Sequence, residues 1–193
     1  MGAEYELKYR ANQESQDAVK EDFSGHWETI SMQTTYFDTP SGSLSGKKYM
    51  LRLRKENGVC VCTLKTKGSG NQRGEWETSC DSISVAVPVL CKLGCPEDLA
   101  DLAAEGLVAI CGAAFTRQAR LLEAPDFTAE LALDRGILFS GDRQLPLCEM
   151  EIELKSGSKA AVDAFADSFA AKYGLMTEEK SKFARALSLY KEV

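Results

Sequence analysis

Apolar and charged residues alternate over much of this chain, and the charged positions carry both signs. A strand puts residues i, i+2 and i+4 on one face. At the start, Glu4, Glu6 and Lys8 share a face opposite Tyr5, Leu7 and Tyr9. Arg52 and Arg54 alternate with Leu51 and Leu53, and Lys65 and Lys67 close the run from Val59. Arg73, Glu75 and Glu77 flank Gly74 and Trp76. Arg117 and Arg120 fall in one segment, but their odd separation sends them to opposite faces. Glu130 and Asp134 lie opposite Leu131 and Leu133, and Glu149, Glu151 and Glu153 alternate with Met150, Ile152 and Leu154.

A solvated face would account for any one such segment. It accounts less well for all of them, because same-face glutamates repel and glutamate is a poor strand former. The pattern points instead to charged faces converging on a wide, water-filled interior, which a closed antiparallel barrel permits. The expected class is α+β, mainly β, with amphipathic helices over the apolar outer faces. A single domain over residues 1–193 is expected, since no composition shift divides the chain.

The helices are read from caps and apolar stripes. Ser15 is placed as the cap of a segment running to about Phe23, and Pro96 as the opening of one through Leu99 and Leu102. Ser158 caps a longer helix carrying Val162, Phe165, Ala166, Phe169 and Tyr173, stopped by Gly174. A last helix is expected from about Glu178, with Phe183, Leu187 and Tyr190 as its stripe. Residues 82–93 fit helix or strand, and Pro88 interrupts either. Gly42 to Lys48 looks like a phosphate loop, but its spacing is wrong and it reads as a turn. Gly68 to Asn71 reads as a flexible connection.

Composition then removes function classes. Lys plus Arg number 23 against 29 Asp plus Glu, a net charge of −6, which implies no uniformly basic surface for nucleic acid. No apolar stretch is long enough for a membrane helix, and residues 1–10 carry no secretion-type apolar core. The seven cysteines are odd in number and lack C-x-x-C knuckles, so reduced thiols and a cytoplasmic location are expected. His26 is the only histidine, which excludes histidine-rich metal sites and leaves little for nucleophilic triads. Any metal must therefore be held by oxygen, favouring magnesium, manganese or calcium. Clustered acids and bases together suit a polyanion carried with a divalent cation, arginine forks gripping phosphate while carboxylates hold metal.

The motifs resemble a known family. Glu4-Tyr5-Glu6-Leu7-Lys8 is similar to the E-x-E-x-K strand of the CYTH superfamily, the triphosphate tunnel metalloenzymes. Thr35 to Pro40 (TYFDTP), Leu51 to Arg54, Thr63-Leu64-Lys65, Leu133 to Gly136 (LDRG), Glu149 to Leu154 and Ser181-Lys182-Phe183 follow in family order. The resemblance implies an eight-stranded antiparallel barrel whose central tunnel holds a triphosphate. It implies metal ligation by Glu4, Glu6, Glu149 and Glu151, with Glu130, Asp134 and Glu153 as further acids. It makes Lys8, Arg52, Arg54, Lys65, Arg117, Lys182 and, less centrally, Arg73 the phosphate clamp. Lys8, Glu4 and Glu6 are the residues placed nearest the chemistry, with Mg2+ or Mn2+ as cofactor.

The activity expected first is hydrolysis of inorganic triphosphate to pyrophosphate and phosphate. Thiamine-triphosphatase or nucleoside-triphosphatase activity, class IV adenylate cyclase activity and a non-enzymatic polyphosphate-binding module are the alternatives. The expected partner is a small-molecule triphosphate, not nucleic acid or membrane, in a monomer or homodimer.

Overall fold

The computed structural model describes residues 5–67 and 73–190, with the side chains of Lys67 and Arg73 outside that description. Along the chain the elements are β1 (Tyr5–Arg10), α1 (Gln13–Asp22), β2 (Glu28–Asp38), α2 (Ser43–Gly46), β3 (Tyr49–Glu56), β4 (Val59–Lys67) and β5 (Arg73–Ser79). Then come α3 (Ile83–Lys92), α4 (Leu99–Ala104), β6 (Val108–Ala124), β7 (Phe127–Ser140), β8 (Arg143–Gly157), α5 (Lys159–Tyr173), β9 (Met176–Thr177) and α6 (Lys182–Tyr190). The strands form one mainly antiparallel-paired sheet with helices flanking it, in the order β5-β4-β3-β2-β6-β7-β8-β1-β9.

That order corrects the expected closed ring of eight strands. Nine strands are present, and the hydrogen-bonded ladder has two ends among the described residues. At one end, β1 is edged at Tyr9 and Arg10 by the short strand Met176–Thr177.

Contacts within the chain gather into two compact units. The first comprises Met1–Ile30, Phe115–Ile137 and Pro146–Ser181. Its core is built by the apolar parity of the strands, with Leu131, Leu133, Met150 and Ile152 packing on Val162, Ala166 and Phe169 of α5 and Val19 of α1. Each such fully buried aliphatic side chain contributes about 2 kcal/mol. Ser158 caps α5 by accepting from the Ala161 amide (3.3 Å), and Gly174, at φ 63°, ends it in the left-handed region. The cap of α1 is Asn12, not Ser15. Asn12 Oδ1 accepts from the Ser15 amide at 2.8 Å, and Ser15 Oγ accepts from the Asn12 amide at 3.1 Å. Ser15 is thus the reciprocal member of a capping box, and the helix begins earlier than the serine suggested.

The second unit comprises Ser31–Ala114, Leu138–Leu145 and Lys182–Val193. Its core joins Leu51, Cys62 and Leu64 of the sheet to Leu44 of α2, Ala86, Val87 and Leu90 of α3 and Leu99 of α4. The stretch 82–93 resolves as the helix α3, Ile83–Lys92, capped by Ser82 and Leu93 and with Pro88 inside it. Helix α4 starts at Leu99 instead of Pro96, whose carbonyl accepts from the Leu99 amide at 3.0 Å. The Gly42 to Lys48 stretch contains the short helix α2 within its turn, held by Asp38, whose carboxylate accepts from the Leu44 and Ser45 amides at 2.9 and 3.1 Å. The final helix begins at Lys182, because Glu178 is drawn back, buried, to Arg10 (2.9 Å) in the first unit. The expected connection Gly68 to Asn71 lies outside the described residues.

Candidate active site

In the first unit, β1 and β8 pair so that Glu6 stands opposite Glu153, Lys8 opposite Glu151 and Arg10 opposite Glu149. Opposed residues in an antiparallel ladder share a face, so the acids of β8 and the bases of β1 meet on one surface. The alternation at Leu7, Tyr9, Met150 and Ile152 turns the apolar side to the core. Glu149 and Asp134 are fully buried and Glu151 is 7% exposed. One carboxylate oxygen from each of the three lies within 4.8 Å of those of the other two.

Arg117 of β6 is set among them. Its Nε and Nη2 donate to the two carboxylate oxygens of Asp134, both at 2.8 Å, and Nη2 also donates to Glu151. Its Nη1 stands 3.9 Å from Glu130. Burial alone would pull the guanidinium's pKa down, but the hydrogen bond and charge of Asp134, then those of Glu151, hold it well above its ordinary value. Nearby, Lys8 Nζ is 3.9 Å from Glu6, and Lys155 bridges Glu153 (2.8 Å) and Glu130 (3.8 Å). Arg120, of opposite parity, points away. It donates to the carbonyls of Phe23 (2.6 Å) and Ser24 (3.1 Å) and lies over the Phe23 and Trp27 rings.

In the second unit, the ladders put Thr34 opposite Arg54, Tyr36 opposite Arg52, Arg52 opposite Thr63 and Met50 opposite Lys65. Arg52, Arg54 and Lys65 therefore share a face with Tyr36 and Thr63. On the next strand Glu75 and Glu77 stand opposite Lys65 and Thr63, with Lys65 Nζ 2.9 Å from Glu75 and Thr63 donating to Glu77 at 2.8 Å. Lys182 opens α6 beside Phe183, whose ring lies 4.7 Å from that of Tyr36. Burial raises the Tyr36 pKa, and the charges of Arg52, Lys182 and Arg54 oppose that shift.

Among the residues proposed from sequence, the first unit thus brings together Asp134, Glu149, Glu151 and Arg117, with Lys8, Glu6, Glu130 and Glu153 around them. The second gathers Arg52, Arg54 and Lys182 about Tyr36, with Lys65 paired to Glu75. Glu4 lies outside the described residues, as does the side chain of Arg73. Sequence reasoning passed over Gln16 and Lys155, and quoted Tyr36 and Thr63 within motifs without giving them a place among the site residues. Parity could have found Lys155, but nothing local marks Gln16.

Close buried carboxylates repel one another, and a divalent cation bound by hard oxygen ligands relieves that repulsion. Asp134, Glu149 and Glu151 fit such an ion. All seven cysteines are free, and burial pushes Cys62, Cys95 and Cys111 up to about 12. His26 is exposed in the connection before β2. Among the described residues no helix is long and apolar enough to cross a membrane.

The first unit carries a buried carboxylate trio suited to a divalent metal, and the second carries a basic face suited to a polyanion. The chain belongs to the CYTH family, whose domain matches residues 2–187. It is similar to an inorganic triphosphatase of Haemophilus influenzae, at 29% identity over 133 residues. The match covers 68% of this chain, which spans only 38% of that protein's length. In fold it is similar to HpAC1 of Hippeastrum, named as an adenylyl cyclase with a dominant triphosphatase activity, with TM-score 0.69, 20% identity and 96% of each chain covered. It is also similar to PH1819 of Pyrococcus horikoshii OT3, with TM-score 0.63 and 21% identity, covering 96% of this chain and 99% of that one.

Proposed function

We propose that this chain is a metal-dependent hydrolase that cleaves inorganic triphosphate to pyrophosphate and phosphate. The observation that carries this reading is the buried trio Asp134, Glu149 and Glu151, faced across the ladder by Lys8. In the proposal, that trio holds Mg2+ or Mn2+, with Glu4, Glu6, Glu130 and Glu153 completing the acidic set. The bound ion would supply charge neutralisation of the phosphates and a more acidic water. Arg52, Arg54, Lys65, Lys182 and Arg73 bind phosphate oxygens, arginine by paired hydrogen bonds and lysine as point charge. Arg117 joins them while orienting Asp134. Lys8, held beside Glu6 and Glu151, donates to a phosphate oxygen and can carry a proton.

The same reading takes residues 1–193 as a single tunnel domain acting on a small molecule in the cytoplasm. Membership of the CYTH family and the triphosphatase relative support the substrate class. The name of HpAC1 keeps a cyclase reading as the second possibility.

The test is phosphate release from tripolyphosphate, ATP and thiamine triphosphate, each with Mg2+ or Mn2+ supplied. Fastest metal-dependent turnover of tripolyphosphate is expected. Faster turnover of ATP or thiamine triphosphate would replace the inorganic substrate, and cyclic AMP formed from ATP would replace hydrolysis with cyclisation.

A further inference from the structure

Gln16 of α1 is 2% exposed, and its amide is fully engaged. Nε2 donates to the backbone carbonyls of Asp134 (3.1 Å) and Glu149 (3.0 Å). Oε1 accepts from Nε (3.1 Å) and Nη2 (2.9 Å) of Arg135, whose guanidinium also lies 3.6 Å from Asp17. Arg135 thereby sets the orientation of the amide, since the opposite one would turn NH2 toward a guanidinium and oxygen toward two carbonyls.

The two carbonyls belong to neighbouring strands, β7 and β8, and to two of the three residues whose carboxylates converge. We infer that Gln16 is a positioning residue for the carboxylate trio, fixing from the helix side the backbone spacing that sets where Asp134 and Glu149 present their oxygens. The inference rests on the trio being a metal site, as proposed above. Gln16 bonds to the two acids through their backbone only. A cation site tolerates little ligand displacement, so the groups that hold ligand backbones in place govern affinity as the ligands themselves do.

The experiment is calorimetric titration of MnCl2 into the full chain, with thermal unfolding measured in parallel. Gln16→Met keeps the length and bulk of the side chain but removes both donors, and is expected to weaken Mn2+ binding about tenfold. Val19→Ala, a fully buried change one turn along the same helix, loses core packing but removes no hydrogen bond to the β7 or β8 carbonyls, and should bind Mn2+ as wild type does. Equal weakening in Val19→Ala, or a Gln16→Met affinity within twofold of wild type, overturns the inference. Should Gln16→Met not fold, exposed Arg135→Ala takes its place. A severalfold weaker affinity there supports the inference, and a wild-type affinity overturns it. Wild-type protein that binds no Mn2+ would remove the metal reading of the trio, and this inference with it, an outcome distinct from a variant that binds normally.

Discussion

Arg117 grips Asp134 through two parallel hydrogen bonds of 2.8 Å, with the carboxylate fully buried and the guanidinium side chain 15% exposed. The same guanidinium reaches Glu151, so one cation ties two of the three clustered acids. It stabilises the cluster where a metal would also be drawn.

Removing that guanidinium leaves buried carboxylates facing one another. Arg117→Ala should therefore lose about 3–5 kcal/mol of stability in metal-free buffer. Mn2+ should restore more of the unfolding temperature in this variant than it adds to wild type, because the ion takes over the neutralising charge. Thermal unfolding with and without MnCl2 measures both effects. An equal Mn2+ increment in the two proteins would separate Arg117 from the cation's place.

Arg52 and Arg54 share a face with Lys65, Arg52 standing opposite Tyr36 of β2 and Arg54 opposite Thr34. A hydrogen bond from a charged donor contributes about 1.5–3 kcal/mol, so each arginine lost should lower kcat/KM for triphosphate by about tenfold or more. Arg52→Ala with Arg54→Ala, assayed at saturating metal, should also raise KM. Unchanged kinetics would show that this face does not meet substrate.

Lys47 holds the Asp98 carboxyl below its ordinary value, with help from Tyr49. A depressed folded pKa gives stability that is present above the unfolded value of 3.8 and lost as pH falls through the lowered one. Asp98→Asn should unfold at a lower temperature than wild type at pH 7, and the gap should close as pH drops below about 4. The pair is exposed, so salt will shrink the gap. A gap constant from pH 7 to pH 3 would trace the loss to something other than this charge.

Gly112 lies in β6 with no room for a side chain. A Cβ there would sit 2.6 Å from the Thr34 carbonyl oxygen and 2.4 Å from the Phe139 ring. The backbone cannot yield as a flexible side chain would, so Gly112→Ala should cost about 1–3 kcal/mol. Chemical denaturation measures it, and a wild-type midpoint would mean that β2 and β6 separate easily.

Period-two alternation was enough to sort the strands into faces. It put Leu131, Leu133, Met150 and Ile152 in a core and Glu130, Asp134, Glu149 and Glu151 on the other side, as the structure has them. It also separated Arg117 from Arg120, since a one-residue offset in a strand reverses a side chain. These are properties of the chain's local geometry and need no knowledge of partners.

What the sequence could not decide is which groups meet. That Arg117 closes on Asp134 and Glu151, and that Gln16 bridges two strands more than a hundred residues away, depend on the pairing of distant segments. The ninth strand is equally invisible locally, being two residues whose extended state comes from pairing with β1. Side-chain parity is encoded within a few residues, whereas ladder ends, ion pairs and carbonyl bridges are selected by the free energy of the assembled core.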